Sequence, residues 1–346
     1  MLSENSLIFS LKAEIMWSYL RYILAFTLTA SVAFAMHTTG WGSFAALAYA
    51  FGFIPILEIL LPPKANNASE EKRERWQQSG WFDAILLLTV PAQAAALYWL
   101  VITTPEDIAR QDYLSLVGHI SAYGVSSGAL AINVAHELGH RPQKHFQTIA
   151  QALLVSTLYG QFFIDHNWGH HKHVATPEDP STARKGETIY AFWLRSVWGV
   201  WRSAWALDAP RMRRLLVWES ALLLTIAWVE PAAFFPFVGG SVVGFLLLET
   251  VNYIEHYGLT RQRVSANRYE TTTPAHSWNS NHPMGRFILF ELTRHSDHHA
   301  SPHKVYPTLI QQEEAPQMPA GYPAMMLLTL LPPIWFRVMD KRIPIF

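Results

Sequence analysis

The sequence contains no cysteine. That excludes disulfides, thiolate-held zinc and any cysteine-ligated iron or iron–sulfur centre in this chain. Metal or redox chemistry here has to use His, Asp and Glu, and an electron carrier has to be a separate protein. Charge is scarce as well. Asp, Glu, Lys and Arg make up 15% of the 346 residues, against about 25% in an average soluble domain. That leaves too little polar surface to solvate the two globules the length would otherwise allow. Apolar residues fill the gap, at 50% of the chain with 13% aromatic. The 26 Lys and Arg balance 26 Asp and Glu, and histidine, with 16 copies, is the over-supplied ligand type.

Six apolar runs are long enough to cross a bilayer, which takes about 20 residues per helix. They lie at about 17–36, 41–61, 82–102, 113–135, 215–229 and 237–253. Pro55 and Pro91 fall inside runs, where proline kinks a membrane helix without ending it. No removable signal peptide is expected, since no short apolar segment with a small-residue cleavage site precedes the first run. The sequence therefore predicts a single all-α, polytopic integral membrane domain spanning 1–346.

With the N-terminus inside and each run crossing once, the outer loops hold only one basic residue, Arg110. That asymmetry fits the tendency of Lys and Arg to stay on the cytoplasmic side. It also puts both termini and the segments 136–214 and 256–310 inside. Phe146–Ile164 resists the count, because crossing there would separate His140 from His166. It is expected to dip in and return, or to lie along the interface. Tyr190–Leu207, rich in Trp and interrupted by Arg195 and Arg202, reads as an interfacial helix. Met325–Trp335, broken at Pro332–Pro333, reads as peripheral. Residues 62–80 form a polar linker.

The histidines cluster. His136-Glu137-Leu138-Gly139-His140 continues the fourth run and sets two imidazoles at i,i+4 on one helix face. His166-Asn167-Trp168-Gly169-His170-His171 repeats that pair and adds a neighbour. His295-Ser296-Asp297-His298-His299 gives three more, and His256 ends the sixth run. All nine fall at one membrane face. An isolated histidine is more often a hydrogen-bonded interfacial residue, and His37, His119, His145, His173, His276 and His303 take that reading. Nine clustered imidazoles exceed what one tetrahedral zinc uses. They suit two metals with four or five nitrogen ligands each and room for a small molecule.

The segments HELGH, HNWGHH, NYIEHYGL, HSWNSNH and RHSDHHA, in this order, resemble the signature of the integral-membrane alkane hydroxylases. Those enzymes form a branch of the membrane di-iron hydroxylase and desaturase superfamily. The resemblance covers about residues 130–310. It implies six transmembrane helices with a cytoplasmic histidine-rich cap holding two non-haem iron ions. Matched motif to motif, the ligands would be His136, His140, His166, His170, His171, His256, His295, His298 and His299. It also implies terminal hydroxylation of medium- or long-chain n-alkanes with O2 and two electrons. The donor would be rubredoxin with its reductase, and the setting a bacterial inner membrane. Two positions depart from the pattern. Asp165 stands where the family usually has Glu, and Arg141 follows HELGH where Lys is commoner.

A metal-bound imidazole usually donates its other N–H to a carboxylate or carbonyl. Candidates for that role are Glu137, Asp165, Asp179, Glu249, Glu255 and Asp297, while Asn279 and His282 are candidates for ordering the site. Glu249 stands out because it lies inside an apolar run. No side-chain nucleophile or acid–base pair beyond the metal centre is expected, and no nucleic-acid partner. Four rival readings remain. His136–His140 matches the H-E-x-x-H of a zinc protease, which leaves six clustered histidines unexplained. A metal transporter would place its ligands near mid-membrane, whereas these cap the helices on one side. A xylene-type methyl hydroxylase and a fatty-acid desaturase share the histidine pattern; NYIEHYGL and RHSDHHA favour the hydroxylase branch, and between alkane and aromatic-methyl substrates only the resemblance favours alkane.

Overall fold

The computed structural model describes residues 16–266 and 268–344; the expected cytoplasmic position of the two chain ends lies outside the described residues. Four described helices are long and apolar enough to cross a membrane. They are α1 (Met16–Met36), α2 (Gly40–Leu60), α4 (Gly80–Ala109) and α10 (Pro231–His256). A short polar helix, α3 (Glu70–Gln77), fills the linker between α2 and α4, with Ser69 accepting from the Lys72 N–H at its start. The other two expected runs are helical but more polar. Helix α5 runs Tyr113–Ser126, passes through a π turn at Ser127–Ile132 and continues as Asn133–Gly139. Helix α9 spans Ala209–Val229 and carries Arg211, Arg213, Arg214 and Glu219.

Both prolines distort their helices as expected and end neither. Pro55 has no N–H for the carbonyl four residues back, and the ladder of α2 widens to a π turn at Tyr49–Phe53 just before it. In α4 the helix is interrupted at Leu88, three residues before Pro91, and resumes at Thr89.

Phe146–Ile164 is not one through-going helix. α6 (Lys144–Val155) ends in a turn at residues 156–160, with Leu158 at φ 52°. α7 then runs back from Gln161 to His173, with a second π turn at His166–His170. The Tyr123 hydroxyl donates to the Ser156 carbonyl, fixing the tip beside the middle of α5. The hairpin thus returns His166 to His140. α8 (Ile189–Leu207) buries Phe192, Ser196, Val200 and Ala204 at four-residue spacing, while Leu194 and Trp198 face outward.

After α10 come a small hairpin, β1 (Arg263–Ser265) with β2 (Arg268–Tyr269), and the short helices α11 (Pro283–Ile288) and α12 (His295–Ala300). The C-terminal apolar stretch is two helices, α13 (Tyr322–Thr329) and α14 (Pro332–Met339), split where Pro332 starts the second.

Helices α5 and α10 run parallel and pack through paired glycines. A Cβ on Gly128 would sit 2.7 Å from the Gly244 carbonyl oxygen and 2.9 Å from Leu247 Cβ. One on Gly124 would lie 3.1 Å from the Gly240 carbonyl. Small residues at four-residue spacing let membrane helices approach until backbones touch. This contact carries the last turns of both helices, with His136 and His256, to the same end of the bundle. Gly128→Leu is therefore expected to force α5 and α10 apart and lower stability by about 1–3 kcal/mol. The check is the thermal unfolding midpoint in detergent; an unchanged midpoint would refute the close contact.

The bundle has two distinct ends. At one, His119 bridges Asp107 (Nδ1–Oδ2 2.6 Å) and the Ala35 and Thr38 carbonyls, tying α1, α4 and α5. The histidine clusters lie at the other. There Glu58 of α2 accepts the Gly285 N–H at 2.8 Å, and Arg141 pairs with Asp83 and Glu137, each at 3.0 Å.

Candidate metal centre

Nine histidines from α5, α7, α10 and α12 converge into two groups. Within each, one ring nitrogen per residue lies within 4.8 Å of all the others. The first group is His136, His140, His166, His171 and His298. The second is His170, His256, His295 and His299.

Helix geometry explains the sorting. His136 and His140, and likewise His295 and His299, are i,i+4 pairs and share a group as their spacing predicts. His166 and His170 are also i,i+4, yet they separate. The π turn over His166–His170 hydrogen-bonds i to i+5, so His166 aligns with His171 instead, and His170 turns toward the second group. That segment therefore serves both groups, and so does α12 through His298 and His295.

The Nε2 atoms meet each other directly. His298 lies 2.9 Å from His136 and 3.2 Å from His171, and His166 lies 3.1 Å from both His171 and His140. In the second group His299 is 2.9 Å from His295 and 3.2 Å from His170, and His256 is 3.1 Å from His295. One Nε2 carries either a proton or a lone pair, so a single nitrogen facing two others cannot satisfy both by hydrogen bonding. Converging lone pairs on a cation resolves the conflict. Ligands about 2.1 Å from a metal and at right angles to each other sit about 3 Å apart, which is the spacing found.

Protonation agrees. Burial, reinforced by neighbouring imidazoles, holds His166, His298 and His299 well below the ordinary histidine range and His140 down to about 3. Neutral imidazole is the ligating form. The donor set therefore fits two metal ions, one facing five nitrogens and one facing four. Nitrogen ligation of this kind suits iron, zinc, copper or nickel.

Of the carboxylates singled out in the sequence, Asp179 alone among the described contacts meets an outward-facing ring nitrogen. Its Oδ2 lies 2.9 Å from His170 Nδ1. Thr182 and the Ser181 N–H hold the same carboxylate at 2.6 and 3.1 Å. Burial alone would raise the Asp179 pKa, but the facing His170 outweighs it and the pKa falls. Burial likewise works against the charged His170, and Asp179 reverses that.

Glu255 lies on the other side of its ring. Its Oε2 is 3.2 Å from His295 Nε2, the converging nitrogen, and its Oε1 accepts from Tyr322. Glu137 binds Arg141 and the Tyr306 N–H. Asp297 binds Lys304, Gln312 and the Ile310 N–H. Glu249 is held by Tyr159 and Ser196 behind the histidines. Asp165 is pushed up to about 7 by burial and then by Asp179, and its Oδ1 has no hydrogen-bond partner. Asn279 clamps the start of α12: its Oδ1 accepts the Ser296 N–H and its Nδ2 donates to the Ser296 hydroxyl. His282 contacts Ser280, away from the cluster.

Two contributors are not singled out by ligand spacing. The carbonyl of His276, expected to be incidental, lies 3.3 Å from His256 Nδ1. Glu291, four residues before His295, is fully buried among Arg286 (2.7 Å), Arg21 (3.4 Å) and Arg294 (3.6 Å), and accepts from Tyr22.

Beside the histidine layer lies an apolar cavity of about 60 Å3. Its lining includes Asn133, Val251 and Leu292. Each precedes a clustered histidine by about one helical turn: His136, His256 and His295. The cavity therefore lies among the membrane helices, walled in part by residues that lead into the clustered histidines.

Residues 113–329 match the fatty acid desaturase family. The chain is 38% identical over 326 residues to alkane 1-monooxygenase of Pseudomonas putida, covering 88% of this chain and 79% of that protein. It is 38% identical to alkane 1-monooxygenase 1 of Alcanivorax borkumensis, with the same coverage of each. It is 28% identical to the xylene/toluene monooxygenase hydroxylase component XylM of Pseudomonas putida, covering 93% of this chain and 88% of that one.

Proposed function

Because the chain belongs to the fatty acid desaturase family and, within it, to the alkane 1-monooxygenases, we propose that it converts medium- or long-chain n-alkanes to 1-alkanols at a centre of two iron ions. It is an integral membrane monooxygenase and an alkane hydroxylase. Its overall reaction consumes alkane, O2, two electrons and two protons and yields alcohol and water. The alkane reading outranks the aromatic-methyl one because identity to the alkane enzymes exceeds that to XylM.

The observation that carries the proposal is the convergence of nine imidazoles into two groups, with an apolar cavity lined by residues three to five positions before His136, His256 and His295. The ligands we assign are His136, His140, His166, His171 and His298 for one ion, and His170, His256, His295 and His299 for the other. Iron held there supplies O2 binding and one-electron redox chemistry. The protein's own part is positional. Asp179 orients and enriches the His170 ring, Asn279 fixes the turn that starts α12, and the burial of the rings keeps water away. The Leu, Val and Ile side chains of the cavity wall, once they move apart to widen a space of about 60 Å3, would seat a hydrocarbon with one end toward the nitrogens.

We further assign six spans, with α5 and α9 crossing alongside the four apolar helices. Support comes from the parallel packing of α5 on α10 and from exposed aromatics at both ends of the bundle. Trp41, Trp228 and Phe235 are at one end, and Trp17 and Trp81 at the other. We assign the histidine end to the cytoplasmic side of a bacterial inner membrane, a reading supported by the excess of Lys and Arg near the histidines. The electron donor is then a soluble cytoplasmic protein, and with no cysteine in this chain we assign rubredoxin served by its reductase. The test is turnover under 18O2. Labelled 1-alkanol is expected, and alcohol oxygen drawn from water would refute the reading.

A further inference from the structure

The apolar cavity shares three of its lining side chains with another recess. Outside the bundle, between α2, α8, α10 and α13, lies a second apolar recess of about 450 Å3 that opens outward. Its walls include Leu47, Trp193, Leu246 and Leu330. Phe51, Leu247 and Met326 line this recess and the inner cavity alike. They are a partition one side chain thick between the bundle's surface and its interior.

That partition is built to yield. Phe51 sits in the π turn Tyr49–Phe53, where the regular helix ladder is interrupted, and a Cβ on its neighbour Gly52 would meet nothing within 4 Å. Met326 is unbranched and adapts to gaps more readily than other apolar side chains. Leu247 belongs to α10 where it touches Gly128, so it is the fixed post against which the other two move. All three side chains are apolar and hold the partition by packing alone, so rotamer changes suffice to open it. It also has to move: the cavity, at about 60 Å3, is smaller than the roughly 150 Å3 that holds a single benzene.

We propose that Phe51, Leu247 and Met326 form a lateral doorway through which an apolar hydrocarbon passes from the bilayer into the cavity beside the histidines. The inference rests on the alkane-hydroxylase reading, and it adds the route and the residues that control it. A hydrocarbon dissolved in the membrane reaches the site without crossing the polar histidine end, so supply depends on the rate at which this partition opens.

The absence of native cysteine allows a direct test. The double variant Phe51→Cys/Met326→Cys, in lipid nanodiscs, is bridged by a reversible bis-methanethiosulfonate, with bridging verified by mass. Alkanol formation is expected to fall about tenfold and to return on reduction, with iron content unchanged throughout. A second reading uses binding alone: uptake of radiolabelled dodecane by the anaerobic, resting protein should slow by a similar factor. Leu247→Trp serves where bridging fails to form, and is expected to lower kcat/KM more than kcat. Bridged protein that oxidises and takes up dodecane at the unbridged rate, or Leu247→Trp with unchanged kcat/KM, would overturn the doorway. Unbridged protein with full iron and reductant that makes no alkanol would instead defeat the underlying functional reading.

Discussion

His298→Ala is expected to abolish alkanol formation and remove iron from the five-nitrogen group. Three features make this residue a severe site to lose. Its Nε2 touches two other converging nitrogens, His136 at 2.9 Å and His171 at 3.2 Å, so it closes the link between α5 and α7. It is buried, so water entering the gap left by the imidazole would replace a neutral donor in a dry site. And its neighbour His299 serves the other group, so the helix cannot rotate to compensate without breaking that one. Loss of an outer hydrogen-bond partner to a metal ligand costs about 10–100-fold in metal affinity or activity, and loss of the ligand itself should exceed that. Elemental analysis of purified protein decides the matter. Close to two irons per chain in the parent and a clear deficit in the variant are expected. One zinc and no iron in the parent, after expression with ample iron, would sink the oxygenase chemistry and return the H-E-x-x-H protease reading to the front.

The sequence shows some of this site and hides the rest, for reasons that differ residue by residue. Nine histidines at short spacing are visible because ligands carried on one helix turn must be close in sequence. Their division into two groups is not. The i,i+4 rule places His166 with His170, and only the π turn, whose ladder a sequence pattern does not reveal, sends them apart. Adjacency to a ligand also proves a poor guide to hydrogen bonding. Asp297 lies between two clustered histidines, yet on a helix its side chain points away from them, to Lys304. Asp179 lies nine residues from His170 and meets its ring. The apolar runs are legible by length and composition. The packing of α5 on α10 is written in Gly124, Gly128, Gly240 and Gly244, two four-residue spacings plain in the sequence. They gain meaning only once the two helices are known to be neighbours.

Least legible of all is Glu291, because its partners come from 21, 286 and 294 and its meaning depends on burial. Burial alone would raise its pKa, but Arg286, then Arg294 and Arg21, outweigh that and lower it from 4.5 to about 2. Two carbonyls of the 62–80 linker are bound by the same arginines: Arg286 reaches Lys64 O at 2.7 Å and Arg294 reaches Asn66 O at 2.9 Å. The carboxylate thus holds α1, the linker and the segment leading into His295 together. Its folded pKa is depressed, so its contribution is complete above the unfolded value and is lost as pH falls from about 4.5 through 2. The depression corresponds to roughly 3 kcal/mol. Glu291→Leu leaves three guanidinium groups around an apolar side chain, and a broken buried ion pair costs about 3–5 kcal/mol. The expected result is a markedly lower unfolding midpoint in detergent at neutral pH, with iron lost from both groups, because His295 and His298 follow directly on this turn. At about pH 3 the gap between parent and variant should narrow, since the unfolded parent's carboxyl is then largely protonated and folding has to release that proton. A variant that unfolds at the parent's temperature and keeps its iron would show that the cluster holds nothing together, and that the histidine layer is fixed by its own helices alone.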